Sequence, residues 1–208
     1  NSTNVRIRVK DRFLLSWNQD KLVFRNIHFY GGSFDPPHLG HREIINYFLD
    51  SCDKLLIIPS YHSPHKSYRP VPFSHRKKML EIMFSNSSGL EIIGYEEDNS
   101  IKYTFKTIEF LKNKYPKHSL NMILGLDQFN SIDSWKNNEY ILSNVNLLVI
   151  SRPGHSLKNI KGNIKLINDI QIDVSSSEIK NNINNLEKIK PMLDKNVFSY
   201  IIKNRLYI

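Results

Sequence analysis

The chain has 208 residues, a formal charge of +9 and a pI near 9.5, and 40% of it is hydrophobic, with ten Tyr and eleven Phe. That content excludes a disordered chain and suits a single α/β domain with a sizeable core, with or without a small appendage. A single cysteine, Cys52, excludes an internal disulfide and a four-cysteine zinc site and fits a reducing, cytoplasmic setting. No apolar run approaches the length of a membrane span, and the basic charge points to polyanionic partners without choosing between small phosphorylated substrates and nucleic acid.

In chain order, Val5-Arg6-Ile7-Arg8-Val9 alternates like an edge strand, and Leu14, Leu15, Leu22, Val23 and Phe24 could cover part of a sheet. Residues 1–25 are read as an extension to a core domain over 26–208. Asn26 to Tyr30 is β-branched and aromatic and predicts a strand, while Ile44, Ile45, Phe48 and Leu49 mark the apolar face of a helix. Between them lies Gly31-Gly32-Ser33-Phe34-Asp35-Pro36-Pro37-His38-Leu39-Gly40-His41, a strand-to-helix turn. Its glycines allow close backbone approach, and the helix start offers N–H groups and the positive dipole end, which together suit a phosphate. His38 and His41, three residues apart, project from one side of the first helical turn. A tight turn followed by punctuating prolines is the plainer reading of the same residues; the second histidine and Gly40 speak against it.

This segment resembles the HxGH signature of the nucleotidyltransferase superfamily. Its longer form is similar to that of the bacterial-type nicotinate mononucleotide adenylyltransferases, which join ATP to a pyridine mononucleotide and release pyrophosphate. The resemblance runs from about residue 26 to the C-terminus. It implies a Rossmann-like fold and assigns Gly31, Gly32, Ser33, Phe34, His38 and His41 to ATP, with Ser33 and Phe34 also serving the pyridine nucleotide.

Asp53 to Ile58 reads as a fully buried parallel strand ended by Pro59. Ser60 to Phe73 follows where a doubly wound sheet places its ligand loops, so His65 and Lys66 are candidates, with an exposed basic loop as the alternative. The resemblance brings this loop, and Lys66 in it, to the phosphates of the bound nucleotides. Ser74 is the expected cap of a helix carrying Met79, Leu80, Ile82, Met83 and Phe84. Arg76-Lys77-Lys78 reads as its solvated face, although Arg76 matches an arginine of the family. Gly89 to Gly94 frames a third strand. Thr104 is the expected cap of a helix with Phe105, Ile108, Leu111 and Tyr115 buried, and the resemblance places the pyridine substituent near Tyr103 and Thr104.

Ser119 to Leu124 is the fourth strand, running into Gly125-Leu126-Asp127. An aspartate there can accept hydrogen bonds from ribose hydroxyls, and the family's Gly-x-Asp does so for adenosine. Trp135 suits stacking on a flat heterocycle, which the resemblance identifies as the pyridine; anchoring a helix to the sheet is the plainer alternative. Asn146 to Ile150 is the fifth strand, entering Ser151-Arg152-Pro153-Gly154, which matches a family element and makes Arg152 a nucleotide contact. Gly162 to Val174 predicts one more strand or a hairpin.

Ser175 and Glu178 have capping-box spacing, so Ser175-Ser176-Ser177-Glu178-Ile179-Lys180 is a helix start. It is similar to the family's ISSTxxR, which holds the ATP phosphates, with Ser177 in place of threonine and Lys180 in place of arginine. A final helix spans about Pro191 to Asn204.

Strands and helices alternate throughout, which predicts an α/β, doubly wound parallel sheet whose crevice opens at the strands' carboxyl ends. In the implied reaction the attacking phosphate is already anionic, so catalysis reduces to alignment and charge neutralisation. His41 is expected at the α-phosphate, His38 at the triphosphate, Lys180 and Ser175 to Ser177 at the outer phosphates. Mg²⁺ is expected to ride on the phosphates without protein ligands. ATP and a pyridine mononucleotide are the expected partners, with no nucleic acid and no membrane. The acid or amide form of the pyridine and the oligomeric state stay open. The alternatives are a sister transferase using phosphopantetheine or an alcohol phosphate, and a non-catalytic basic module that binds nucleotide or RNA.

Overall fold

A computed structural model describes residues 26–61, 70–151, 157, 162–170 and 172–208. The strand expected near residue 5, together with His65, Lys66 and Arg152, lies outside the described residues.

The elements are β1 (Asn26–Gly32), α1 (Leu39–Leu49), β2 (Lys54–Pro59), α2 (Phe73–Met83), β3 (Leu90–Ile92), α3 (Tyr95–Asp98), α4 (Thr104–Lys114), β4 (Ser119–Gly125), α5 (Leu126–Asn130), α6 (Asn138–Asn144), β5 (Asn146–Ile150), β6 (Ile164–Ile167), α7 (Ser176–Asn181), α8 (Leu186–Ile189) and α9 (Lys195–Lys203). The six strands form one parallel sheet in the order β3-β2-β1-β4-β5-β6. Chain direction across the sheet reverses between β1 and β4, and a crevice opens at such a switch point, outside the carboxyl ends of the strands.

Both faces of the sheet are covered, which is why its strands are almost continuously apolar. On one face Ile27, Phe29, Leu56, Ile58, Met122, Leu124, Leu147 and Val149 pack with Phe105, Ile108 and Leu111 of α4 and Ile141 of α6. On the other, Tyr30, Leu55, Ile57, Ile123, Leu148 and Ile150 pack with Ile44, Ile45 and Phe48 of α1 and Leu80 of α2. A third cluster joins Met79 to Ile179, Ile189, Val197, Ile201 and Leu206, so that the C-terminal helices lean on α2.

Several details depart from what local sequence implied. α2 begins one residue before Ser74, with Pro72 at its N-cap and no side-chain cap bond. The extended backbone of Tyr103 makes that residue, not Thr104, the N-cap of α4. In the span 162–174 the first of the two alternatives holds: Ile164–Ile167 is one more strand, paired parallel to β5. Ile170 leaves the sheet to enter the core. Arg76 is not on a solvated face: it is 1% exposed, because it shares one side of α2 with Met79 and Leu80, one turn on.

Candidate active site

The carboxyl ends of the four central strands lie side by side. Gly32 pairs with Pro59, Gly125 pairs with Ile150, and Tyr30 pairs with Ile123, two residues short of Gly125. The histidine turn therefore leaves the sheet next to the turn that carries Asp127. The Asp127 carboxylate folds back over Gly125, and a Cβ at that position would lie 2.6 Å from its Oδ1, so a side chain there would displace the carboxylate. Asp127 itself is exposed at the mouth.

Within the turn, His38 takes the N-cap of α1 and His41 its first turn. Their rings stack at 3.7 Å between centroids. The His38 main-chain N–H donates to His41 Nδ1 at 3.2 Å. An accepting Nδ1 leaves the proton of a neutral imidazole on Nε2, so the outer edge of His41 presents an N–H donor. His41 is also held edge-on by Phe34, 4.9 Å away. The Phe34 ring is itself buried against Tyr30, so this side chain supports the site from the core, not from the crevice. Gly40 is required by close approach: a Cβ would come within 2.5 Å of Ile172 Cγ2 and 3.1 Å of the His38 ring.

The serine segment closes onto this turn. Ser175 caps α7 by accepting from Glu178 N–H at 3.1 Å, the role its spacing predicted. Ser176 Oγ donates to Pro36 O at 2.9 Å, across 140 residues of sequence. Lys180 reaches Asp35 Oδ2 at 3.2 Å, the two side chains being 19% and 2% exposed. Ser177 is exposed nearby on the same helix start.

Beneath the turn lies a polar framework. The Arg76 guanidinium donates to Ser33 O at 2.8 Å and Val71 O at 3.0 Å. Burial lowers its pKa, opposed by the field of Asp35. Asp35, 1% exposed, accepts from Val71 N–H at 3.2 Å and Tyr207 O–H at 2.9 Å as well as from Lys180. Arg76 could have been found from its spacing with Met79 and Leu80; Asp35 and Tyr207 had no such signal.

At the N-cap of α4, Tyr103 is 38% exposed, and Lys136 Nζ sits 4.6 Å over its ring. Trp135 precedes Lys136 in the chain, and Thr104 follows Tyr103 as the first residue of α4. Trp135 is half-buried against the core cluster of the β4 face, so packing explains part of it. On α4, Thr107 Oγ1 donates to Glu96 at 2.7 Å. Burial raises its pKa, opposed by the Thr107 hydroxyl and a Tyr61 backbone hydrogen bond. Among the described residues, no three His, Cys, Asp or Glu side chains are grouped to hold a metal ion.

Comparison with known proteins agrees with this geometry. The family model described as cytidylyltransferase-like matches residues 29–182. A Bacillus licheniformis protein named "Probable nicotinate-nucleotide adenylyltransferase" is 32% identical over 190 residues, 88% of this chain and 98% of its own. A Clostridium tetani protein of the same name is 33% identical over 193 residues, 86% and 96% of the two chains. Among solved structures, the Plasmodium falciparum nicotinic acid mononucleotide adenylyltransferase complexed with NaAD superposes with a TM-score of 0.76 at 25% identity, covering 88% of this chain and 97% of that one. Identity at this level over nearly the whole of both chains establishes common descent, and the chain belongs to the nicotinate-nucleotide adenylyltransferase family of cytidylyltransferase-like proteins.

Proposed function

We propose that the chain transfers the adenylyl group of ATP to nicotinate mononucleotide, forming the dinucleotide and pyrophosphate, a step of NAD synthesis. The observation that carries this reading is the closure of the serine segment onto the histidine turn, through Ser176 to Pro36 and Lys180 to Asp35. It gathers imidazoles, hydroxyls and an ammonium around one stretch of backbone at the switch point, as a polyphosphate requires. The names of the relatives support nicotinate as the pyridine.

A phosphate oxygen of the mononucleotide attacks the α-phosphorus and forms the new P–O bond. The bond to the β-phosphate oxygen breaks, and its electron pair leaves with pyrophosphate. The nucleophile is already an anion, so no side chain has to remove a proton. His41 Nε2–H would donate to the α-phosphate as charge builds there, and His38, stacked on it, would fix its orientation and reach the triphosphate. Asp127 would hold the adenosine ribose; Trp135, Tyr103 and Thr104 would hold the pyridine. Lys66 and Arg152 are proposed to add charge from the loops after β2 and β5. Mg²⁺ would arrive with ATP and neutralise phosphate charge. The free Cys52 thiol supports a reducing compartment, the cytoplasm in this reading.

The test is pyrophosphate release from ATP and Mg²⁺ with nicotinate mononucleotide, nicotinamide mononucleotide and phosphopantetheine offered separately. Release is expected with the first. Release with phosphopantetheine alone, or with none of the three, would overturn the reading.

A further inference from the structure

We propose that Tyr207 is a positioning residue for the ATP phosphates and acts through Asp35 on Lys180. The proposal rests on the adenylyltransferase reading and names a part of its phosphate site that lies far from it in sequence.

Asp35 lies in the middle of the histidine turn and is 1% exposed. A carboxylate so placed is tolerable only if its oxygens are satisfied. Its donors come from three distant parts of the chain: Val71 N–H, 36 residues away; Lys180, 145 away; and Tyr207 O–H, 172 away. Their division between the two oxygens matters. Oδ1 takes both neutral donors, Val71 at 3.2 Å and Tyr207 at 2.9 Å, whereas Oδ2 takes the ammonium of Lys180 at 3.2 Å.

Lysine is a compact charge on a flexible stem. When a triphosphate enters beside His38 and His41, Lys180 can turn towards it, but only if Asp35 can spare the ammonium. Two neutral donors on Oδ1 make that possible by carrying part of the stabilisation of the buried charge. With Tyr207 removed, Asp35 depends more heavily on Lys180, and the ammonium is withheld from the phosphates.

The segment from Arg205 to Ile208 delivers this hydroxyl. Arg205 and Tyr207 have φ of 49° and 68°, a backbone region unfavourable to residues with side chains. Between them Leu206 is 8% exposed and packs in the cluster of α2, α7 and α9. The buried leucine holds the reversal, and the reversal turns Tyr207 inward, while Ile208 is 71% exposed.

The experiment measures binding of Mg·ATP by calorimetry without pyridine nucleotide, steady-state kinetics for both substrates, and Tm. The proteins are the wild type, Tyr207→Phe and the double variant Tyr207→Phe with Lys180→Arg. Phe keeps the ring of a half-buried residue, so folding is preserved. Tyr207→Phe is expected to weaken ATP about tenfold, the scale of one hydrogen bond to a charged group. KM for nicotinate mononucleotide and kcat at saturating ATP should stay within about twofold. Arginine at 180 can grip the Asp35 carboxylate with two N–H groups and still face a phosphate, so the double variant should recover ATP affinity to within about threefold. ATP affinity unchanged in Tyr207→Phe would overturn the proposal. So would a parallel loss in both substrates with a fall in Tm, the signature of a structural role only. A wild type that binds no ATP would instead refute the activity reading on which the proposal stands.

Discussion

His41 is set up by three contacts that do different things. The His38 main-chain N–H selects its tautomer, the His38 ring stacks on it, and Phe34 closes its other side. A donor held this way needs no reorganisation as charge develops, which is where such groups act most strongly. His41→Ala is expected to lower kcat by about a hundredfold or more with the circular dichroism spectrum unchanged; near-normal turnover would remove His41 from the mechanism. Gly40 belongs to the same argument, since its missing side chain makes room for Ile172 and the His38 ring. Gly40→Ala should cost about 1–3 kcal/mol by overpacking, seen in urea unfolding. Adding Ile172→Ala should return part of that loss, because it deletes the atom 2.5 Å from the new methyl.

Among the elements, α9 shows how a helix remote from the crevice still bears on it. Asp194 accepts from Asn196 N–H at 2.8 Å and Val197 N–H at 3.3 Å, which caps the helix. The same carboxylate pairs with Arg42 of α1 at 3.0 Å, one residue past His41. Asp194→Ala loses both, and a fall of about 1–2 kcal/mol is expected, mostly from the cap since Arg42 is a third exposed. Asp194→Asn should retain most of the stability, as asparagine also caps. A ladder of amides crosses the amino edge of the sheet: Asn163 donates to Asn146 at 2.7 Å, and Asn146 to Asn121 at 2.9 Å. These Asn side chains therefore tie strands β4 and β5 together. Strands were legible one by one from their apolar runs; which of them were neighbours, and through which polar groups, was not.

At the scale of the molecule, stability should fall on the acid side. His28 on β1 is 7% exposed, and burial pushes its imidazole down to about 4 from an ordinary value of 6.5. The unfolded chain thus takes up a proton as pH falls through 6.5, whereas the folded chain resists until about 4. Between those values the unfolded state binds more protons, so stability is complete above the higher value and declines towards the lower. The total is on the order of 3 kcal/mol. Denaturant unfolding at pH 7.5 and pH 5 should show the loss, and His28→Leu should flatten the slope. An equal slope in that variant would place the acid sensitivity elsewhere.

The amino-acid sequence by itself determined the class of fold, the first five strands and the place of the histidine turn. Each of these is written in short-range patterns: runs of apolar residues, glycines between strand and helix, histidines one turn apart. Tertiary structure alone decided that Phe34 supports the turn from the core and that Tyr207 reaches into the histidine turn. Those facts depend on pairs up to 172 residues apart. A periodicity records which face of an element is buried, but carries no information about which distant side chain will meet it there.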